Sequence, residues 1–143
     1  MRHLGIDISK STLSVTQLEP AWSAEFPNTK AGRQRLTKRL RGQTTRVVVE
    51  ATASYGVDLV EALAGTDGVE VMVANPRATR HFAKSTRQRG KTDRADSAML
   101  ARFAYAMEFV PWTPPSTTAK ELRDVMRRRK QLADQMGAEK KRL

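Results

Sequence analysis

A chain of 143 residues with 26 Lys or Arg, 15 Asp or Glu and no Cys carries a formal net charge of +11. Disulfide scaffolds, thiolate zinc sites and cysteine nucleophiles are thereby excluded, and the absence of thiols fits a reducing compartment. No run reaches the ~18 apolar residues of a membrane span and the opening MRHLGIDISK lacks a signal-peptide core, so the chain reads as soluble and cytoplasmic, folded around one core.

From His3 to Ser9, Leu4, Ile6 and Ile8 alternate with Gly5, Asp7 and Ser9, the period of a strand. Thr12 to Leu18 alternates less regularly, and Trp22 to Phe26 is a third short extended segment between Pro20 and Pro27. Three strands joined by short turns predict an antiparallel meander. Thr29 is suited to cap a basic helix from Lys30 to Arg41, with Leu36 and Leu40 on its buried face and Gly42 at its end. Arg46-Val47-Val48-Val49-Glu50 has the continuous β-branched character of a strand covered on both faces, and is expected to be central. A short helix from Tyr55 or Val57 to Ala64 follows, and Gly65 stops it before a further strand, Val69 to Ala74. The order predicts a mixed α/β sheet with at least one parallel crossover.

Beyond Asn75-Pro76 a basic helix is expected to about Arg87, loosening at Arg89-Gly90. A second helix runs from Thr92 or Asp93 to Met107, with Leu100, Phe103 and Met107 as its inner face. Phe109 to Trp112 reads as an exit segment and Pro114-Pro115 as a break. From Ser116 onward, Leu122, Val125, Leu132, Met136 and Leu143 follow a three-four spacing with Arg129 in the same seam, half of a coiled coil or of a helical hairpin. The pattern stops without a terminal cap, so the chain is expected to be an N-terminal piece of a longer protein. Trp22, Tyr55 and Trp112 read as core or anchoring residues rather than base-stacking platforms.

Charge is distributed in blocks. Residues 30–46 carry seven basic and no acidic side chains, residues 77–102 eight against two, and residues 120–142 nine against four. Segments of this kind suit a polyanion, because each neutralised phosphate releases condensed counterions, and nucleic acid is the leading partner. Solvated basic helix faces are the structural alternative. A membrane surface fits less well, since no basic segment carries a continuous Trp, Phe or Leu face.

Four carboxylates occupy poor local contexts for an acid. Asp7 interrupts an apolar strand, and Glu50 sits at the carboxyl end of the triple-valine strand, the end at which open α/β sheets gather ligands. Asp93 and Asp96 are three apart at the start of a helix and project over one edge. If the strands of Asp7 and Glu50 are neighbours, all four acids converge on one rim, and such crowding implies a hard cation, Mg²⁺ or Mn²⁺. Two such ions ~4 Å apart clamp a phosphodiester. Each acid also has a structural reading: Asp93 and Asp96 as cap and dipole partner, Asp7 as the polar residue of a half-solvated strand, Glu50 as the partner of an arginine.

At GIDISK (Gly5 to Lys10), VVEATASYG (Val48 to Gly56), ANP (Ala74 to Pro76) and above all KTDRADSAMLARFA (Lys91 to Ala104), the chain closely resembles the amino-terminal domain of DEDD transposases of the insertion-sequence-110 type, a group that includes the Piv-type DNA invertases. The resemblance covers residues 1 to about 113 and implies a ribonuclease H-like α/β fold related to the RuvC resolvases. It puts the family's acidic positions on Asp7, Glu50, Asp93 and Asp96, with divalent metal, DNA as substrate, and recombination guided by a structured bridge RNA. It also implies a second, carboxyl-terminal domain supplying a nucleophilic serine, a role not assigned to Ser11, Ser54 or Ser97. Residues 114–143 would then begin a helical linker to that domain, with homo-oligomer formation through the last helix or the domain beyond it. Ala53 stands where relatives usually have Gly, and Ser97 where Ala is common.

Within this reading Arg77, Arg80, Lys84, Arg87, Arg89, Lys91 and Arg94 flank the metal site and hold phosphates, positioning a backbone rather than reading bases. The activity implied is metal-dependent strand cleavage and transfer by a nucleoid-associated recombinase whose active site this chain contains in part. The alternative is a guide-RNA and DNA binding module with structural carboxylates. GIDISKST also resembles the phosphate loop of the sugar kinase and actin superfamily, but the chain is too short for a two-lobed ATP site and too basic.

Overall fold

The computed structural model describes residues 1–51, 56–86 and 93–142. Among them are strands β1 (Arg2–Ile8), β2 (Thr12–Gln17), β3 (Trp22–Pro27), β4 (Thr45–Glu50) and β5 (Val69–Ala74). The helices are α1 (Lys30–Leu40), α2 (Val57–Ala64), α3 (Pro76–Ser85), α4 (Asp93–Ala106) and α5 (Thr117–Arg142). The strands form a single sheet in the order β3-β2-β1-β4-β5. Antiparallel pairing joins β1 to β2 and β2 to β3, and parallel pairing joins β1 to β4 and β4 to β5. This is the expected meander followed by parallel crossovers, an α/β fold of the ribonuclease H-like kind.

Residues Met1–Trp112 and Thr113–Leu143 make two compact units. In the first, the alternation of β1 is used on both faces of the sheet. Leu4, Ile6 and Ile8 point into one core with Val47, Val49, Leu36 and Leu40, under α1 and α2. Val48 points the other way, into a second core with Leu100, Phe103 and Ala104 of α4. The triple valine is thus covered on both sides, as its composition requires. It is interior but not the middle strand: β1 holds that place, because the meander adds two strands beyond it.

Gly5 decides how α4 sits. A methyl group built at this position would lie 2.1 Å from the Ser97 carbonyl oxygen and 2.4 Å from the Ala101 nitrogen. Only the absence of a side chain lets the helix backbone rest directly on the central strand, the use of glycine for close backbone approach. Ser97, fully buried, then reaches across to β2, its Oγ 2.6 Å from Thr16 Oγ1.

Met107 departs from the expected inner face of α4. The helix ends at Ala106, the Met107 N–H closes its last turn on the Phe103 carbonyl at 3.0 Å, and the Met107 side chain is exposed. Met99 and Ala104 are buried instead, flanking Leu100 and Phe103. Of the aromatic residues read as core, Trp22 and Trp112 pack against the α1 side of the sheet. Tyr55 lies outside the described residues, as does Leu143 at the end of the α5 seam. Within α5, Leu122, Val125, Leu132 and Met136 are all exposed.

Helix α1 begins where its cap predicts. Thr29 has extended backbone angles, and its hydroxyl accepts a hydrogen bond from the Gly32 N–H at 3.1 Å. Arg41 is the C-cap and Gly42 follows with φ of 76°, a left-handed conformation in which glycine costs nothing. Thr29→Ala is expected to lower unfolding free energy by about 1 kcal/mol, the usual worth of a hydroxyl cap, with no change in m-value. Urea denaturation followed by far-UV circular dichroism checks this.

Candidate functional site

The carboxyl ends of the parallel strands form one rim of the sheet. The register that pairs Ile6 with Val49 brings Asp7 and Glu50 to the next step, side by side on β1 and β4. They share the face on which Gly5 and Val48 meet α4. The strand neighbourhood on which convergence depended is therefore present. On the other side of Glu50 the ladder ends at Ala74, from which the chain passes through Asn75 into α3. Asn75 caps that helix, its side-chain oxygen accepting from the Arg77 N–H at 2.8 Å, with Pro76 in the first turn where its missing N–H is harmless.

Electrostatics tie a third and a fourth element to this rim. Partial burial, and after it the negative charge of Asp96, push the Glu50 carboxyl above its ordinary range, while the Arg80 guanidinium pulls it back. Asp96, half-buried on the first turns of α4, is thus close enough to Glu50 for like-charge repulsion to be felt. Arg80, exposed on α3, supplies a compensating positive charge. Arg77 and Lys84, also exposed, lie three residues before and four after it, on the same helical face.

The structure therefore brings together Asp7 with Glu50 by register, and Glu50 with Asp96 and Arg80 by charge. Asp93 and Arg94 open α4, and their side chains are outside the described set; Arg87, Arg89 and Lys91 lie outside the described residues altogether. Among the described residues no three carboxyl or imidazole groups stand close enough to form a metal-ligating cluster. The donor chemistry nonetheless fits a hard divalent cation. The acids at the rim offer oxygen donors only, and Glu50 is held in a surrounding that disfavours its charge.

Two features of the site were not read from the sequence. Gly5 looked like one residue of the polar face of β1, although an isolated glycine inside a strand is itself the sign of a close backbone approach. Ser97 appeared only as a departure from a common alanine. In the structure its bond to Thr16 fastens the residue next to Asp96 to the sheet.

A protein-family model described as a transposase, of the DEDD insertion-sequence-110 type, matches residues 4–143. The pilin gene-inverting proteins of Moraxella bovis and Moraxella lacunata are each 30% identical to the chain over 148 residues, covering 98% of it. The chain spans 45% of the length of these relatives.

Proposed function

The chain belongs to the DEDD transposase family of the insertion-sequence-110 type, and we propose that it is the carboxylate-bearing part of a transposase or site-specific recombinase that breaks and rejoins DNA. Asp7, Glu50, Asp93 and Asp96 would hold Mg²⁺ or Mn²⁺, which when bound supplies Lewis-acid stabilisation of a phosphodiester under attack. The observation that carries this reading is the adjacency of Asp7 and Glu50 at the carboxyl rim, with the charge of Asp96 felt at Glu50. Carboxylates brought to one rim from two adjacent strands and from α4 are suited to serve as oxygen ligands of a hard cation.

Around them the chain's own task is to bring a phosphate backbone to the carboxylates. Arg77, Arg80 and Lys84 share one face of α3, with Arg87, Arg89, Lys91 and Arg94 following in the sequence. Such point charges fix the register of a strand on the protein without reading its bases. The neutral hydroxyls of Ser97 and Thr16 hold α4 against the sheet, so that Asp96 keeps its distance from Glu50. We further propose that a guide RNA directs the reaction and that a serine nucleophile comes from a domain beyond residue 143. The exposed α5 seam would contribute to pairing of protomers, and the protein would act at the nucleoid. The pilin gene inversion for which the Moraxella relatives are named fits this class of DNA rearrangement.

Calorimetric titration of the 143-residue chain with Mn²⁺ or Mg²⁺ tests the reading. Wild type is expected to give a saturable heat, and Asp7→Asn to weaken the apparent affinity by more than about tenfold, the scale on which even outer-shell substitutions act. Absence of a metal-linked signal in both proteins would leave the second reading, a DNA and guide-RNA binding module with structural carboxylates. The lack of a three-acid cluster among the described residues is the observation that favours it.

A further inference from the structure

The basic block at residues 30–46 is not used by the site described above, and its position shows why. Helix α1 packs Leu36 and Leu40 into the core that contains Leu4, Ile6 and Val49, while α4 and the acidic rim use the opposite face of the sheet. With ~100° per residue, Lys30, Arg35, Lys38 and Arg39 fall on one half of α1 and Leu36, Thr37 and Leu40 on the other. All four cations are exposed, and Arg41 at the C-cap extends the series. Arg33 is on the inner flank, half-buried, where it donates to Asn28 Oδ1 at 3.1 Å and stands 3.8 Å from Asp58.

Nothing acidic in this stretch offsets that face. No Asp or Glu occurs between Glu25 and Glu50. Glu25, on the neighbouring edge strand, pairs in register with Ser14 and points off the sheet on the side away from Trp22 and Phe26, which pack towards α1. The exposed half of α1 itself therefore carries cations as its only charges, while Asp58 of α2 faces the inner flank at Arg33 and the Asp67 carbonyl accepts from the Gly42 N–H just beyond the helix.

We propose that this outer face of α1 is a docking surface for the phosphate backbone of duplex DNA, separate from the segment handled at the carboxylate rim. It extends the preceding reading, on which it rests for the nature of the partner. Duplex DNA, with one charge per ~1.7 Å of axis, releases more counterion per neutralised phosphate than a single strand does. The aromatic neighbour argues against a single strand. Trp22 is covered by the Arg39 guanidinium, 3.9 Å above its ring, and offers no open platform on which an unstacked base could lie. The exposed arc holds Lys30, Arg35, Lys38 and Arg39 with Gln34 among them, a set suited to contacts along the phosphate backbone. Because the two surfaces lie on opposite sides of the sheet, the duplex held by α1 is a second segment, or a distant part of the first.

The test measures binding of the whole chain to a random-sequence DNA duplex and to a structured RNA hairpin between 50 and 200 mM salt. A chelator is present, so that the outcome does not depend on the carboxylates. The triple variant Arg35→Gln/Lys38→Gln/Arg39→Gln is expected to reduce the salt slope of log K for DNA by about 2 to 3, which shrinks the affinity lost across that range by more than about tenfold. The same decrement is expected on top of Arg77→Gln/Arg80→Gln/Lys84→Gln, as for separate sites. Arg35→Lys/Arg39→Lys keeps the charges and is expected to keep the slope, which separates loss of contacts from loss of folding. An unchanged DNA slope in the triple variant, or a change confined to the RNA hairpin, overturns the proposal. Failure of the metal titration with this result intact would overturn only the catalytic reading.

Discussion

Gly5→Ala is expected to lower the unfolding free energy by about 3 kcal/mol or more, beyond the usual range of 1–3 kcal/mol for overpacking. The added methyl group would meet backbone, the Ser97 carbonyl oxygen and the Ala101 nitrogen, and also the Leu100 Cβ at 2.7 Å. None of these atoms is the far end of a side chain that can swing away. Either the helix moves outward, or β1 leaves the register that holds it between β2 and β4. Outward movement also strips Leu100 and Phe103 from Val48 and breaks the bond of Ser97 to Thr16. Guanidinium unfolding of the purified variant measures the loss, and a midpoint equal to that of wild type would show that α4 is not seated as described. The consequence extends to the rim. Asp96 precedes Ser97, so a variant that remains folded is expected to bind divalent metal more weakly although no carboxylate has been altered.

Glu50→Gln is expected to have opposite effects with and without metal. In wild type the folded carboxyl titrates above its ordinary value, through burial first and Asp96 second. The folded state therefore retains its proton in a pH window where the unfolded chain has already lost it. Stability falls as pH rises through that window, as the folded carboxyl gives up its proton. The glutamine removes this dependence: the variant is expected to melt above wild type at pH 7 in chelator, and the difference is expected to close near pH 4. Addition of Mn²⁺ reverses the order. A cation bound only by the folded state adds about 2.7 kcal/mol at a hundredfold excess over its dissociation constant, and the variant is expected to gain little of it. Thermal melts at the two pH values, each with chelator and with metal, read all four states. A variant that gains as much as wild type from the metal would remove Glu50 from the ligand set.

The elements were legible because their signals are local. Val47 to Val49 declare a strand with two covered faces, Thr29 and Asn75 declare helix starts, and Gly65 and Gly42 declare ends. The acids were legible as anomalies: Asp7 in an apolar strand and Glu50 at a strand end needed only adjacent strands to meet, and the parallel pairing of β1 with β4 provides that. What could not be read depends on distances between elements far apart in sequence. The contact of Gly5 with Ser97 and that of Thr16 with Ser97 belong to the docking of α4 across β1 and β2, and nothing in the periodicity of either segment encodes it. Met107 is a different case, decided locally. Its spacing from Phe103 is helical, but the helix stops one residue earlier and leaves it in solvent.

The exit segment after α4 has a bearing on how the first unit can be handled as a molecule. The Trp112 N–H donates to the Val71 carbonyl at 2.7 Å, and the Val110 N–H points at the Met72 sulfur at 3.5 Å, both beside the outermost parallel strand. The Trp112 contact occupies a carbonyl of the edge strand and Val110 lies against the Met72 side chain, so this segment covers part of a ladder otherwise open to an extended peptide, including another copy. A shortened protein ending before Val110 would lose that shield and acquire a tendency to add strands edge to edge, whereas a cut after Trp112 would leave it in place.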